Sequence, residues 1–250
     1  MALWYTRAVG YVDLHSHYVP NVDDGVRSTA EGVALLRRLG EVGFETVVAT
    51  PHMRPGMFDN DRALLQAAFT AFEASLSEDD RGSLPARHLA SEHYFDDVTF
   101  ERLVNGAGLP YPGGRSVLVE MNPTAFPIRL PERLADLKRR GLVPVIAHPE
   151  RYQPVWTDRD CVDALLDVGA CLLLDVCALV GKYGAQPQRA AEKLIEEDAY
   201  EAACSDAHRP SDADEVERAI VRLQKLVGKE EAKRLLDDGP RRILAGTAGG

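Results

Sequence analysis

Short runs of aliphatic and β-branched residues alternate with helix-patterned stretches along this chain. That alternation limits the possible fold more than any other feature. The strand-like runs cover residues 11–14, 46–49, 87–90, 117–119, 143–147, 171–174 and 202–204. After the first, Val33, Leu36 and Gly40 fall at helical spacing, with Ser28 or Thr29 as N-cap and Glu31 in the first turn. Residues 61–76 place Leu65, Phe69, Phe72 and Leu76 on one helical face. Further helices are expected over 131–140, 160–168 and 187–198, and from 212 to about 227. Strand–helix repetition implies parallel strands joined by crossover helices. Seven strands favour closure into a barrel over an open sheet, and neither G-x-G-x-x-G nor G-x-x-x-x-G-K-[ST] occurs to recommend a nucleotide-binding sheet. One domain is expected over 1–250, with a core from about 11 to 225. Residues 109–115 read as a loop, and the tail from about 245 to 250 as frayed.

Composition narrows the function classes. The 250 residues carry 39 acidic against 29 basic side chains, a net charge of −10. That balance argues against nucleic acid or an anionic membrane as partner and suits a protein that holds cations. No stretch reaches the ~18 apolar residues that cross a bilayer, and the richest run, 171–181, is cut by Asp175. The first residues lack the apolar length of a signal-peptide core, so the expected location is the cytoplasm. The four cysteines, Cys161, Cys171, Cys177 and Cys204, form no C-x-x-C pair and read as reduced thiols. None is followed six residues later by arginine, the spacing of cysteine phosphatases (Arg209 follows Cys204 by five), and no G-x-S-x-G marks a serine hydrolase.

The chemistry lies where the strand-like runs end. His15 and His17 close the first, Thr50-Pro51-His52 follows the second, and Glu92 and Glu120 follow the third and fourth. His148-Pro149-Glu150-Arg151 follows the fifth, and Asp206 and His208 the last. In a parallel α/β barrel these ends share one rim. The pairs His15/His17 and Asp206/His208 are spaced so that extended backbone points both side chains the same way. A single histidine at a strand end is ordinarily a hydrogen-bonded surface or core residue. Here five of seven histidines occupy strand ends, which points to a metal site, while His88 and His93 read as structural. Imidazole and carboxylate without thiolate suit Mn²⁺, Fe²⁺ or Zn²⁺.

The motifs Asp13-Leu14-His15-Ser16-His17, Asp23-Asp24-Gly25, Thr50-Pro51-His52, Ala147-His148-Pro149-Glu150-Arg151 and Ser205-Asp206-Ala207-His208 resemble the polymerase-and-histidinol-phosphatase (PHP) superfamily. Within it, the D-D-G and H-P-E-R motifs look like the bacterial protein-tyrosine phosphatases of the CpsB/YwqE type, linked to capsule and exopolysaccharide synthesis. The resemblance spans about residues 11–225. It implies a distorted TIM-like (β/α)7 barrel and three divalent ions, manganese foremost, with iron, zinc or magnesium as alternatives. His15, His17, Glu92 and Asp206 would hold the first ion. Glu92, Glu120 and His148 would hold the second, and Asp24, His52 and His208 the third. Motif position selects Asp24 over Asp23. Arg151 would hold the substrate phosphate. A tyrosine leaving group needs a general acid less than an alkyl alcohol does, and Glu150 and a site histidine are the candidates for one.

The activity so implied is hydrolysis of phosphotyrosine by metal-activated hydroxide. The partner would be a phosphotyrosine-bearing protein such as a bacterial tyrosine kinase of polysaccharide synthesis, with room for a homo-oligomer. The rivals are a small-molecule phosphatase of the histidinol-phosphatase kind, a metal-dependent amidohydrolase and a regulator without turnover. The chain departs from the family pattern at His93, at Met121-Asn122-Pro123 and at Asp175. Loops at 109–115 and 126–133 are expected around the entrance.

Overall fold

Several crossover helices start where a short polar side chain satisfies a free N–H of the first turn. Ser28 accepts from Glu31 N to open Thr29–Val42, Asp61 from Leu64 N to open Arg62–Ser75, and Asp96 from Thr99 N to open Asp97–Val104. Thr29–Val42 stops at Gly43, whose φ of 118° is the left-handed turn glycine tolerates. The computed structural model describes residues 10–249.

Among the described residues nine strands run in parallel: β1 Tyr11–Ser16, β2 Phe44–Ala49, β3 His52–Met53, β4 Ala86–Leu89, β5 Glu92–Tyr94, β6 Ser116–Glu120, β7 Val143–Ala147, β8 Cys171–Asp175 and β9 Tyr200–Cys204. Their ladders read β1-β2-β4 and β3-β5-β6-β7-β8-β9. The division is local. β2 and β3 are one path interrupted at Thr50 and Pro51, and a proline has no N–H for the ladder. β4 and β5 are a second path, interrupted at Ala90 and Ser91. Seven paths therefore carry the ladder round, and it closes through a parallel bridge Ser16↔Ala207. Asp206 N donates to His15 O at 3.0 Å and His17 N to Ala207 O at 2.9 Å across that seam. This is the expected seven-stranded α/β barrel, distorted at two broken paths and one short seam.

Alternation along the strands makes two apolar layers. One row, including Val47, Ala49, Val119, Ile146 and Leu172, packs outward with helix residues such as Leu35, Leu36, Leu39 and Leu134. The opposite row, including Val12, Leu14, Val48, Leu118, Val145 and Leu173, packs with its own kind inside the barrel. Tyr111 and Ile243 join that inner cluster. The Tyr111 hydroxyl donates to Leu14 O at 2.9 Å, so its ring is buried with its polar end satisfied.

Three expectations about organisation change. The loop 109–115 precedes β6, so it closes the floor of the barrel, not the entrance; Gly113 N donates to Leu244 O there. The segment 126–133 follows β6 and does lie on the side of the strand ends. The packed region extends past 225, because Leu235, Leu236 and Ile243 are buried. The tail to Gly249 is not frayed: Ala248 is 4% exposed in the inner cluster and Gly249 O accepts from Lys138 Nζ. Position 250 lies outside the described residues. Short helices such as Glu78–Ser83 and Gln153–Thr157 were not expected, because neither carries an apolar period.

Candidate metal centre

The inner row continues past the apolar layer by the same two-residue step and turns polar. Val48 leads through Thr50 to His52, Ala90 to Glu92, Leu118 to Glu120, and Cys204 to Asp206. His15 arrives differently. The β1–β2 register shifts between Asp13 and Ser16, an irregularity of the kind that re-aims a side chain. His148 and Asp206 sit at positive φ, 36° and 47°, conformations that non-glycine residues hold only under constraint from their surroundings.

Glu92 is the hub. Its Oε2 lies 3.3 Å from His15 Nε2, 3.8 Å from His17 Nε2 and 2.9 Å from His52 Nδ1, and its Oε1 lies 3.1 Å from His148 Nε2. His15 Nε2 and His17 Nε2 face each other at 3.1 Å, with Asp206 Oδ1 at 3.2 and 3.4 Å from them. Donors bound about 2.0–2.1 Å from one ion present edges of about 3.0–3.4 Å, so these spacings fit a coordination shell. Four groupings converge to within 4.8 Å: His15, His17, Asp206; His15, Glu92, His148; His52, Glu92, Glu120; and His17, Asp24, His52, His208. Every expected donor falls in at least one. The partition is less tidy than expected, because His15, His17 and His52 each face two groupings. Glu120 Oε2 is buried with no hydrogen-bond partner, as an oxygen reserved for a cation would be.

The residues behind the cage fix its imidazoles. Asp23 Oδ2 accepts from His17 Nδ1 at 2.8 Å and from His52 N at 3.1 Å, which turns His17 Nε2 inward. Asp24 lies beside His52 Nε2 (3.4 Å) and His208 Nε2 (3.5 Å). The adjacent aspartates thus divide: Asp24 faces the cage, and Asp23 orients. Gly25 completes the turn because a Cβ there would meet His17 O at 2.3 Å. His208 Nδ1 hydrogen-bonds Asp206 O at 2.9 Å, and the Phe58 ring stacks on His52 with centroids 5.2 Å apart. Asp13 accepts from Ser205 N and Oγ at 2.9 and 2.5 Å and ties the seam beneath.

Electrostatics match this geometry. Burial pulls the His15 imidazole down, but Glu92 and Asp206 outweigh it and lift it to about 9. His52 is carried up to about 12 against its burial by Glu92 and Asp24. His148 falls to about 4 through burial and the nearby Arg151. Burial and Glu92 push Glu120 up to about 7, while Glu92 and Asp206, although buried, are held well down by His15 and its neighbours. Packed acids are offset here by imidazole protons that a divalent ion would displace.

Arg151 stands at the edge of the cage. Its Nη1 donates to Asp206 Oδ2 at 2.7 Å and lies 3.8 Å from Asp175 Oδ2, while the guanidinium stacks 4.4 Å over the Tyr183 ring. Glu150, the candidate acid, is placed elsewhere. It is fully buried, accepting from Asp175 N at 3.0 Å and the Tyr200 hydroxyl at 2.9 Å, and its carboxyl serves β8 and β9. Burial and Asp175 raise it to about 8. His93 is structural as expected, bonded to Leu118 O and Leu109 N. Asp175 and Tyr183 were missed as partners of Arg151; the two-residue step from Leu173 to Asp175 was the available signal.

Residues 11–245 match the family model described as capsular polysaccharide synthesis, CpsB/CapC. The chain belongs to the CpsB/CapC family. It is 26% identical over 222 residues to tyrosine-protein phosphatase YwqE of Bacillus subtilis, covering 88% of this chain and 86% of that one. It is 28% identical over 240 residues to tyrosine-protein phosphatase CpsB of Streptococcus pneumoniae, covering 93% and 98%. A solved chain from crystal structures of these two proteins, described as metal-dependent tyrosine phosphatases, superposes with a TM-score of 0.84 over 95% of each chain at 24% identity. The CpsB/CapC barrel is therefore the fold of this chain.

Proposed function

We propose that this CpsB/CapC member is a metal-dependent phosphomonoester hydrolase acting on phosphotyrosine in proteins. The observation that carries the reading is the convergence of nine imidazole and carboxylate side chains on one rim with Arg151 at its edge. The relatives' activity as tyrosine-protein phosphatases supports it. We assign His15, His17, Glu92 and Asp206 to a first ion, Glu92, Glu120 and His148 to a second, and Asp24, His52 and His208 to a third, with manganese as the metal. Bound divalent ions supply Lewis-acid charge and lower the pKa of water toward about 7, which provides a nucleophile at neutral pH.

The chain's own residues do the rest. Asp23 holds the His17 imidazole in the tautomer that keeps Nε2 free for the cage. Arg151, always charged and kept planar against Tyr183, binds non-bridging phosphate oxygens through its fork of N–H donors. Asp206 and Asp175 keep that fork at the rim. A tyrosinate leaving group has a pKa of about 10, so its departure needs less protonation than that of an alkoxide. That suits a site whose one expected carboxylic acid, Glu150, is engaged elsewhere.

The substrate we infer is a phosphotyrosine-bearing protein of capsule synthesis, such as a bacterial tyrosine kinase, met in the cytoplasm. No helix among the described residues is long and apolar enough to cross a membrane. The test is hydrolysis of p-nitrophenyl phosphate and phosphotyrosine peptides with added Mn²⁺, beside histidinol phosphate. Turnover of the aryl esters that EDTA abolishes is the expected result. Metal-replete protein inert toward every aryl phosphate would refute it.

A further inference from the structure

Beside the cage stands an arginine that the hydrolytic reading leaves without a task. Arg54 follows β3, two residues after His52, and is half-buried. Among the described residues its guanidinium has no hydrogen-bond or ion-pair partner; its close contact is the Tyr94 ring, 4.1 Å below the guanidinium carbon. Its backbone is fixed: Arg54 and Phe58 exchange N–H···O bonds at 3.0 and 2.8 Å around a turn, and Phe58 stacks on His52. Tyr94 is fixed as well, at the end of β5 in register with Glu120 of β6. A flat cation is thus held on an aromatic ring beside the cage, near enough for its charge to act on Glu120, and its N–H edges have no hydrogen-bond partner among the described residues.

A groove of about 420 Å³ begins at the same Tyr94 and runs past Asn122 to Phe126, Pro127 and Ile128. Its far wall also leads back to the cage, because Phe126 meets Tyr152 edge-on at 5.7 Å and Tyr152 meets His148 edge-on at 5.7 Å. Ile128 is 85% exposed, an apolar residue at the rim with nothing to cover it. The volume falls within the ~300–1,000 Å³ of ordinary ligand clefts. Guanidinium faces stack on aromatic rings, and backing by Tyr94 keeps this one flat and oriented.

We propose that Arg54, backed by Tyr94, is the aryl-recognition element of the site. Its face away from Tyr94 receives the aromatic ring of a substrate whose phosphate lies at the cage, and the groove toward Phe126 takes the chain flanking that ring. The inference rests on the phosphomonoesterase reading for where the phosphate sits and adds how an aryl ester is told from an alkyl one.

The experiment is calorimetric titration of the Mn²⁺-loaded protein with phenylphosphonate and methylphosphonate, which share the charged head and differ in the ring. The unsubstituted protein should prefer phenylphosphonate by about tenfold, the scale of one cation–π contact in a partly desolvated site. Arg54→Ala should remove that preference while leaving methylphosphonate affinity within about twofold. Arg54→Lys should behave like alanine, since lysine keeps the charge but not the planar face. Tyr94→Leu, which removes the backing alone, should weaken the preference less. Equal weakening of both ligands in Arg54→Ala, full rescue by lysine, or no phenyl preference at the outset would each overturn the proposal. Phenyl preference lost on Arg54→Ala in a protein that hydrolyses no phosphomonoester would uphold the aryl site and reject the hydrolase reading. Robust hydrolysis with an unchanged preference in Arg54→Ala would do the reverse.

Discussion

The floor and the mouth of this barrel are built from the same strands and obey opposite rules. On β6, Leu118 lies in the apolar inner cluster, and Glu120, one step along the same face, has a buried oxygen with no hydrogen-bond partner. The floor is apolar, and the Tyr111 hydroxyl within it is satisfied by Leu14 O. The mouth gathers acids and imidazoles and keeps His148 and Asp206 in left-handed backbone. The apolar floor supplies the stability that lets the mouth hold charges which do not favour folding among themselves.

The largest expected effect tests whether the mouth exists for ions. His15→Ala or Asp206→Ala should lower bound metal, read by elemental analysis, and cut aryl phosphate turnover well beyond the ~10–100-fold typical of residues behind a ligand. Full metal content in either variant would break the comparison at its polar end. At the other end, Leu118→Ala should cost about 2–5 kcal/mol in denaturant unfolding. Glu120→Gln should leave the metal-stripped protein as stable or more so at pH 8. Its carboxyl titrates near 7 in the fold, above the ordinary 4.5, so its ionised form works against folding once the pH passes 4.5. A Glu120→Gln variant that unfolds as readily as Leu118→Ala would erase the distinction between the two ends.

A smaller effect separates gripping substrate from holding ions. Arg151→Ala should raise KM for p-nitrophenyl phosphate about tenfold or more and leave the metal stoichiometry intact. Smallest is Glu150→Gln. The Glu150 carboxyl titrates near 8 against an ordinary 4.5, so the folded chain keeps a proton that the unfolded chain has lost, and stability declines as pH rises between those values. The glutamine variant should flatten that decline, read as a Tm that changes less between pH 5 and 8. An unaltered slope would show that the proton resides elsewhere.

Much of the mouth was legible because it continues a pattern. The step from Leu118 to Glu120 and the i,i+2 pairs His15/His17 and Asp206/His208 follow from strand geometry and named the same rim that the fold brings together. Harder to read were residues whose meaning depends on another strand. His52 and Glu92 begin the short runs β3 and β5 after breaks in their paths, and so short a run has no period of its own. Asp23 and Asp24 are chemically equal in sequence; only the turn made by Gly25 sends one behind the cage and the other toward it. Glu150 stood in the most distinctive motif, yet the turn Pro149–Arg151 aims it at β8 and Tyr200. Residues 246–249 offered no apolar period, and their order comes from the barrel floor they rest on.

That floor gives the molecule a polarity useful at the bench. Ala248 is buried against the closed end, and Arg241 from the last helix reaches Gly10 O, so both ends of the described chain lie away from the cage. A tether attached behind the last described helix, Gly239–Ala245, would present the cage outward, ready for ligands in a flow cell.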